Sequence, residues 1–230
     1  MSVGNQVWND INQDGIRQTT EANISGAVVK LYEDNNMDNT PDGAAIATMT
    51  TTSTGLYLFD GLKPGSYIVG VTPPTPGSGL PFKSTTGAGE ESNPNLNVDN
   101  NDNGVTLVGG ETRTNFITLS IGLEPKNENP SNDATKPDSN SNLTVDFGFY
   151  QPIKIAGNVY FDINGPTNVD GTPIGNPSNT QVYATLVNAT GTVVGTTAVN
   201  TTNGTYTFDD IRPNMTYTVV LSTVQGVVGS

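Results

Sequence analysis

Apolar and polar residues alternate along most of the first two thirds of the chain. In Ala27–Glu33, for example, Val29 and Leu31 face one way and Val28 and Lys30 the other, which is the period of a strand with one buried face. No amphipathic helical stretch exceeds about two turns. The pattern therefore predicts an all-β protein, with strands at Val3–Asn9, Ala27–Glu33, Ala45–Thr51, Leu56–Asp60, Ser66–Thr72, Arg113–Ile121 and Leu143–Tyr150.

Two long segments interrupt this alternation. Pro73–Gly110 is rich in Pro, Gly and Asn, and we expect an ordered excursion there rather than part of the core. Lys126–Asn142 is polar and almost devoid of apolar residues, which predicts a loop.

The pattern restarts after Gln151-Pro152. Residues 3–12 align with residues 155–164, and residues 54–64 align with residues 203–213 in the same order. Two ordered matches predict tandem copies of one module, at 1–151 and 152–230. No counterpart of strand 142–150 follows Tyr217–Ser222. Either the piece is cut within the second module, or this module is a shorter variant, or a neighbour supplies the strand by β-augmentation.

Composition removes several classes of function. The 230 residues include no His and no Cys, which excludes imidazole bases, thiol nucleophiles and zinc fingers. The net charge of -13 repels nucleic acid and anionic lipid, and no apolar run reaches the length of a membrane span, so we expect neither nucleic-acid binding nor membrane insertion. The charge is concentrated in the first module, where 18 acids face 7 bases, against 4 and 2 in the second.

The first acidic loop matches the calcium-loop pattern D-x-[DN]-x-[DN]-G-x5-E at every fixed position. Calcium takes 6–8 oxygen ligands at roughly 2.3–2.6 Å, so side chains at alternate positions must converge on one point. Gly15 permits the sharp turn and Gln18 occupies the position that often acts through water. The alternative is an ordinary Asx-rich turn, whose acids would repel one another without a cation. The predicted ligands are the side chains of Asp10, Asn12, Asp14 and Glu21 and the carbonyl of Ile16.

Three further segments repeat this chemistry less completely. The second loop offers Asp34, Asn36, Asp38 and Asp42, with the Thr40 carbonyl as a further candidate; its alternative is a solvated hairpin loop. The third is shorter, lacks a distal Glu, and offers Asp99 and Asp102 against an Asn-rich turn. For Asp133, Asp138 and Asn140 we favour a solvated loop over ligands. In the second module the spacing from Asp162 and Asn164 to Asn168 and Asp170 is altered, so we expect a weakened or lost site.

These residues resemble a known family. The matching segments are Val3–Gly15, Ser25–Tyr32, Gly61–Tyr67, Asn93–Gly104 and Asn142–Tyr150. Together they resemble the B domains of bacterial serine-aspartate repeat adhesins of the SdrD type, relatives of Cna-B domains. The second module matches only in its first strand and in its Tyr206–Asp209 hairpin.

The resemblance implies a prealbumin-like, Ig-like β-sandwich that carries long calcium-binding loops and stacks in tandem. It implies two or three calcium ions in the first module, held by the eleven residues named above as ligands of the three loops. It also implies an extracellular location, on a bacterial cell surface or secreted, and neighbouring modules of the same protein as partners, with end-to-end self-assembly as a further possibility.

We therefore expect a non-catalytic structural module, a stalk or fibre element rigidified by calcium. The alternative is a recognition module that binds a protein or carbohydrate directly. Trp8, Tyr32, Tyr57 and Tyr67 are the aromatic side chains that such a module would use, but each lies in a predicted strand and fits a core better. We do not expect an enzyme, because the acids lie in hydrophilic loops beside other oxygens, a setting for a metal rather than for a raised pKa.

Overall fold

A computed structural model describes residues 1–75, 82–85, 88–128, 137–162, 171–174 and 180–230. It divides into two compact units, Met1–Gln151 and Pro152–Ser230. The division lies at the position where the sequence pattern restarts. Within the described residues, no helix is long and apolar enough to cross a membrane.

The first unit is built from short strands. They are β1 (Ser2–Val3), β2 (Val7–Asn9), β3 (Val28–Glu33), β4 (Ala47–Thr50), β5 (Gly65–Thr72), β6 (Lys83–Ser84), β7 (Thr106–Val108), β8 (Glu111–Arg113), β9 (Ile117–Leu119), β10 (Ser141–Asn142) and β11 (Phe147–Tyr150). A 3-10 turn, Asp138–Asn140, precedes β10. The all-β prediction is confirmed.

Two layers enclose the core of this unit. One sheet has the order β4-β3-β5-β8-β7, with β9 also paired to β5; opposite it lie β2-β11-β6 and the pair β1-β10. Val29 and Leu31 of β3 and Phe147 and Phe149 of β11 pack in one cluster, because alternate side chains of each strand point inward. The alternation predicted for β3 is therefore confirmed.

The predicted strand boundaries differ from the observed ones at several segments. Leu56–Asp60 is not a strand: only Leu56 and Phe59 pair, through isolated bridges to Gln6 and Val3. Val3–Asn9 and Arg113–Ile121 are each split into two short strands, and within Leu143–Tyr150 only Phe147–Tyr150 is a strand. The excursion 73–110 contributes two edge strands, β6 and β7, so it takes part in the sheets.

The polar side chains of segment 141–150, which contains β10 and β11, are buried rather than exposed. Asn142 donates to the carbonyl of Pro94 at 2.9 Å, and Asp146 accepts the amide of Asn100 at 3.0 Å. Residues 94–100 of the excursion therefore lie across this segment and bury its polar side chains.

The described residues of the second unit form seven strands. They are β12 (Ile153–Asn158), β13 (Tyr160–Phe161), β14 (Thr172–Pro173), β15 (Tyr183–Asn188), β16 (Val193–Ala198), β17 (Thr205–Ile211) and β18 (Tyr217–Ser222). Here β15 pairs with β16 and β18, as β3 pairs with β4 and β5, and Ile155 pairs with Phe208, as Val3 pairs with Phe59. A small core surrounds Leu186 and Phe208.

Candidate metal centre

Asp10 anchors the first acidic loop at the end of β2. Its side chain is fully buried, and its two oxygens accept the backbone N–H groups of Gln13, at 2.6 Å, and Gly15, at 2.9 Å. Both donors have positive φ, 59° at Gln13 and 77° at Gly15. Gly15 is required on steric grounds as well, because a Cβ there would lie 2.7 Å from the backbone nitrogen of Glu90.

Asp14 occupies the centre of the same loop. Its Oδ1 accepts the amide of Ile16 at 2.9 Å, and its Oδ2 accepts side-chain N–H groups of Asn12 and Gln18, each at 2.9 Å. Burial opposes ionisation, but these hydrogen bonds outweigh it and hold the pKa of Asp14 below its ordinary value. Asp14 is therefore an ionised carboxylate at neutral pH.

Glu21 closes the loop with both of its oxygens. Oε1 accepts the amide of Ile11 at 2.9 Å and Oε2 accepts the amide of Gln18 at 3.0 Å. Burial is the largest cause that raises the pKa of Glu21, and the nearby charges of Asp10 and Asp14 raise it further. Three acids of the loop thus lie close enough to repel one another.

The second acidic loop follows β3 and has a similar set of internal hydrogen bonds. Buried Asp34 accepts the amides of Asp38, at 3.2 Å, and Asn39, at 3.0 Å. Asn36 donates to Asp38 at 2.9 Å, and Asp38 accepts the amide of Thr40 at 2.8 Å. Met37 and Asn39 have φ of 57° and 65°, which matches Gln13 and Gly15 of the first loop.

The two loops differ in how they close. Asp42 takes the place of Glu21: its Oδ2 accepts the amide of Asn35 at 2.7 Å, as Glu21 accepts the amide of Ile11. Asp42 is exposed, whereas Glu21 is buried. The backbone of both loops is therefore wrapped around alternating oxygen-bearing side chains, with a deeper closing carboxylate in the first.

The third acidic segment has a different arrangement. Asp102 is fully buried and Oδ1 accepts the amide of Gly104 at 2.9 Å, while Oδ2 has no hydrogen-bond partner. Burial raises its pKa, and the charges of Glu90 and Asp10 add to that effect. The charge of Asp99 acts on Asp146 instead. Asp99 and Asp102 therefore belong to different surroundings, and Asp102 lies toward the first loop.

Backbone contacts join the first loop to the third segment. The carbonyl of Gly15 accepts the amide of Asp102 at 2.9 Å, and the amide of Arg17 donates to the carbonyl of Asn100 at 2.8 Å. These two hydrogen bonds are made by Gly15 and Arg17, the neighbours of Ile16, so the carbonyl of Ile16 takes no part in them. That carbonyl is the predicted backbone ligand.

Sequence reasoning missed two acids beside these loops. Asp146 is fully buried and accepts the amides of Gln6, at 2.8 Å, and Asn100, at 3.0 Å. It occupies a polar position of an alternating strand, which predicts exposure, and only the covering segment reverses that. Glu90 lies in the excursion, has a pKa raised by burial, and acts electrostatically on Asp102. No local motif marks either residue.

The donor set suits a hard cation only if neutral oxygens take part. In the described ranges, no group of three or more Asp, Glu, His or Cys side chains is arranged to hold a metal ion by itself. Each of the first two loops combines three carboxylates with an Asn side chain and backbone carbonyls, which is the chemistry that calcium prefers. The unpartnered oxygen of buried Asp102 is a further acceptor that a cation would satisfy.

Other predicted positions bear on function less directly. The candidate ligands Asn164, Asn168 and Asp170 of the second unit, and Asp133 of the first, lie outside the described residues. Trp8, Tyr32, Tyr57 and Tyr67 are all at most 6% exposed, as expected for a core. They form no exposed aromatic surface for a ligand.

Known proteins resemble the chain in sequence. A model of the SdrD B-like domain family matches residues 1–123. Serine-aspartate repeat-containing protein F of Staphylococcus epidermidis is 32% identical over 211 residues, which cover 91% of this chain and 10% of that protein. Serine-aspartate repeat-containing protein D of Staphylococcus aureus strain MW2 is 28% identical, covering 91% and 20%. The chain thus spans a tenth to a fifth of the length of these relatives.

Solved structures resemble the chain only weakly. The Bacillus anthracis TIE protein is 12% identical, with a TM-score of 0.34, over 97% of this chain and 29% of that one. Shaft pilin SpaA from Lactobacillus rhamnosus GG is 9% identical, with a TM-score of 0.30, over 97% and 87%.

Proposed function

Because the chain belongs to the SdrD B-like domain family, we propose that it is a non-catalytic structural module whose acidic loops bind calcium and become rigid. The relatives named above are serine-aspartate repeat-containing proteins of staphylococci, and we place this chain, like them, in a bacterial protein built from repeated parts. Its proposed location is outside the cell, at the surface or secreted.

The observation that carries the calcium proposal is the matching geometry of the first two loops. Each begins with a buried Asp that accepts two backbone amides, followed by an Asn two residues later and an Asp four residues later. Each ends with a carboxylate that accepts the amide of the residue directly after the first Asp. Two unrelated solvated turns have no reason to share this pattern. Two loops that bind the same kind of ion do have a reason to share it, because each must bring oxygens at alternate positions to one side.

Each proposed site has its own residues. In the first loop we assign the side chains of Asp10, Asn12, Asp14 and Glu21 and the carbonyl of Ile16. In the second we assign Asp34, Asn36, Asp38 and Asp42. Asp102, with its unpartnered oxygen, would serve a third ion or complete the first site, and Asp99 remains a candidate beside it.

Linkage explains how calcium would act on the fold. An ion that binds the folded loops and not the unfolded chain stabilises by RT ln(1 + [Ca]/Kd), about 4 kcal/mol at a thousandfold excess over Kd. Calcium sites in extracellular modules have Kd values of about 10⁻⁴–10⁻³ M, so extracellular calcium concentrations are high enough to fill such loops. Calcium would also cancel the repulsion among Asp10, Asp14 and Glu21.

The proposed partners are neighbouring modules of the same protein. In the first unit β3 lies between β4 and β5 and Val3 pairs with Phe59; in the second unit β15 lies between β16 and β18 and Ile155 pairs with Phe208. This shared arrangement supports two copies of one module. End-to-end assembly of such modules would give a stalk or a fibre. The buried aromatic residues give no support to direct recognition of a ligand through them.

Calorimetric titration with calcium tests the proposal. We expect Asp14→Ala and Asp38→Ala each to lose one bound ion, because each removes the central carboxylate of one loop. Asp209→Asn, which removes one exposed carboxylate from the second unit, is the matched control and should bind as the parent does. A parent chain that binds no calcium, or variants that bind the same number of ions as the parent, would refute the assignment.

A further inference from the structure

The last strand of the second unit, β18, lies at the edge of its sheet. In the first unit, β5 pairs with β3 on one side and with β8 and β9 on the other, so it lies inside the sheet. In the second unit, β18 holds the position of β5 and pairs with β15 along its whole length. Among the described residues, no strand pairs with the other side of β18.

The side chains of β18 are exposed where those of β5 are buried. Val69 and Val71 of β5 are fully buried. The register places Val219 and Leu221 at the equivalent positions of β18. Val219 is only partly buried and Leu221 is 47% exposed, and Val220, on the opposite face, is 46% exposed. Apolar side chains therefore reach solvent on both faces of this strand.

The sequence of β18 favours pairing with a further strand. Tyr217–Ser222 is rich in β-branched residues and contains no charged residue, Pro or Gly, and such a strand at an edge is a template for another strand. The opposite edge strand, β16, is covered at its start, because Val193 donates to the carbonyl of Ser230 at 2.9 Å and accepts the amide of Gly229 at 2.8 Å. The described residues give β18 no such cover.

The distribution of charge favours a second copy of the chain as the partner. The net charge of the chain is -13, and most of it lies in the first unit, where two copies repel each other. Residues 213–230 contain no Asp, Glu, Lys or Arg, so β18 and the residues after it bring no like charges to a contact between copies. Val224 and Val227 are exposed in this neutral segment and add apolar surface beside the strand.

We propose that β18 pairs with β18 of a second copy, antiparallel and edge to edge, joining two three-stranded sheets into one. A two-fold axis perpendicular to the sheet relates the copies, so equivalent faces lie on the same side. Such an interface is isologous and closes at a dimer. The inference goes beyond the proposed function, because no proposed calcium ligand lies in β18 and a closed dimer differs from end-to-end assembly.

Analytical ultracentrifugation over a range of protein concentrations tests the proposal. One pair of short strands is a small interface, so we expect a reversible equilibrium between monomer and dimer. Val220→Lys should abolish the dimer, because the two-fold axis brings the two lysines opposite or diagonal to each other on one face. Val194→Lys adds the same charge at an exposed position of β16 and is the matched control, which should dimerise as the parent does.

Cysteine cross-linking locates the contact, because the chain has no cysteine of its own. A short bismaleimide spans both opposite and diagonal positions of paired strands. It should link two copies of Val220→Cys and should not link Val194→Cys. Both experiments are done in millimolar calcium and in EDTA, with the same result expected, because β18 holds no proposed ligand.

Three results would overturn the proposal. The first is a parent chain that stays monomeric at every concentration, which would leave the edge of β18 to an unlike strand. The second is a dimer that persists in Val220→Lys without a cross-link at position 220, which would place the contact elsewhere. The third is growth beyond the dimer, which a closed two-fold contact does not allow. Calcium binding is measured separately by titration, so none of these results bears on the calcium proposal.

Discussion

At the scale of single residues, buried carboxylates hold loop backbone in place. Asp10, Asp34 and Asp146 are each at most 1% exposed, and each accepts two backbone amides. An amide that loses such an acceptor inside the fold costs about 1–3 kcal/mol. These aspartates therefore contribute to stability whether or not an ion is bound.

Asp146 offers the cleanest test, because it is not a proposed calcium ligand. We predict that Asp146→Ala lowers the free energy of unfolding by about 2–4 kcal/mol, since the amides of Gln6 and Asn100 both lose their acceptor. Asp146→Asn keeps one acceptor oxygen and should cost less. Urea unfolding in EDTA measures both. Equal stabilities of Asp146→Ala and the parent chain would contradict this role.

Glu128 predicts an unusual dependence of stability on pH. Its folded pKa of about 7 lies above its ordinary value of 4.5, so the folded chain binds the proton more tightly than the unfolded chain. In EDTA, stability should be highest below about pH 4.5 for this group and should be lost as the pH rises toward 7, by at most about 3 kcal/mol.

The matched variant isolates this group from all other titrations. Glu128→Gln cannot ionise, so its free energy of unfolding should fall less between pH 5 and pH 7 than that of the parent. Urea unfolding at several pH values in EDTA gives the comparison. Parallel pH profiles for parent and variant would show that Glu128 does not titrate in this range.

At the scale of elements, the first loop and the third segment behave as one body. Gly15 accepts the amide of Asp102, Arg17 donates to Asn100, and the carbonyl of Asp14 accepts the amide of Gly89 at 2.7 Å. Gly89 must also lack a side chain, because a Cβ there would lie 2.2 Å from the Ile16 side chain. An ion in the first loop should therefore order residues far along the chain.

Hydrogen exchange tests this coupling. Calcium should protect amides in residues 10–21 and, with them, Gly89 and Asp102, whose amides donate to the first loop. Asp14→Ala should abolish both effects while leaving calcium protection of the second loop intact. Protection confined to residues 10–21 would show that the loop binds its ion without ordering the third segment.

Local patterns predicted most elements but not their partners. Alternation located β3 and β5, and a spacing rule located Asp10 and Glu21, because both features depend on neighbours in sequence. The prediction of a strand at Leu56–Asp60 was wrong, since its residues pair only at Leu56 and Phe59. Asp146 is buried by segments distant in sequence, so no local pattern could identify it.

At the scale of the whole molecule, the two units differ in their net negative charge. The first has 18 acids against 7 bases and the second 4 against 2. The proposed loops all lie in Met1–Gln151. Self-repulsion and its relief by cations should therefore concern the first unit far more than the second.

Amide hydrogen exchange in the core of each unit, with and without calcium, measures this difference in the effect of cations. Calcium should slow exchange at Val69 in the first unit by the full linkage term, and leave Leu186 in the second unit nearly unchanged. A matching gain at Leu186 would mean that the second unit also binds calcium or that the units unfold together.

The most direct test of the account is a thermal melt in millimolar calcium and again in excess EDTA, on the parent chain and on Asp14→Ala. Calcium should raise the Tm of the parent by about 5 °C or more, from a linkage term of several kcal/mol, and the rise should shrink in the variant. Identical melts of the parent chain in the two buffers would contradict the central claim that calcium is part of the folded module.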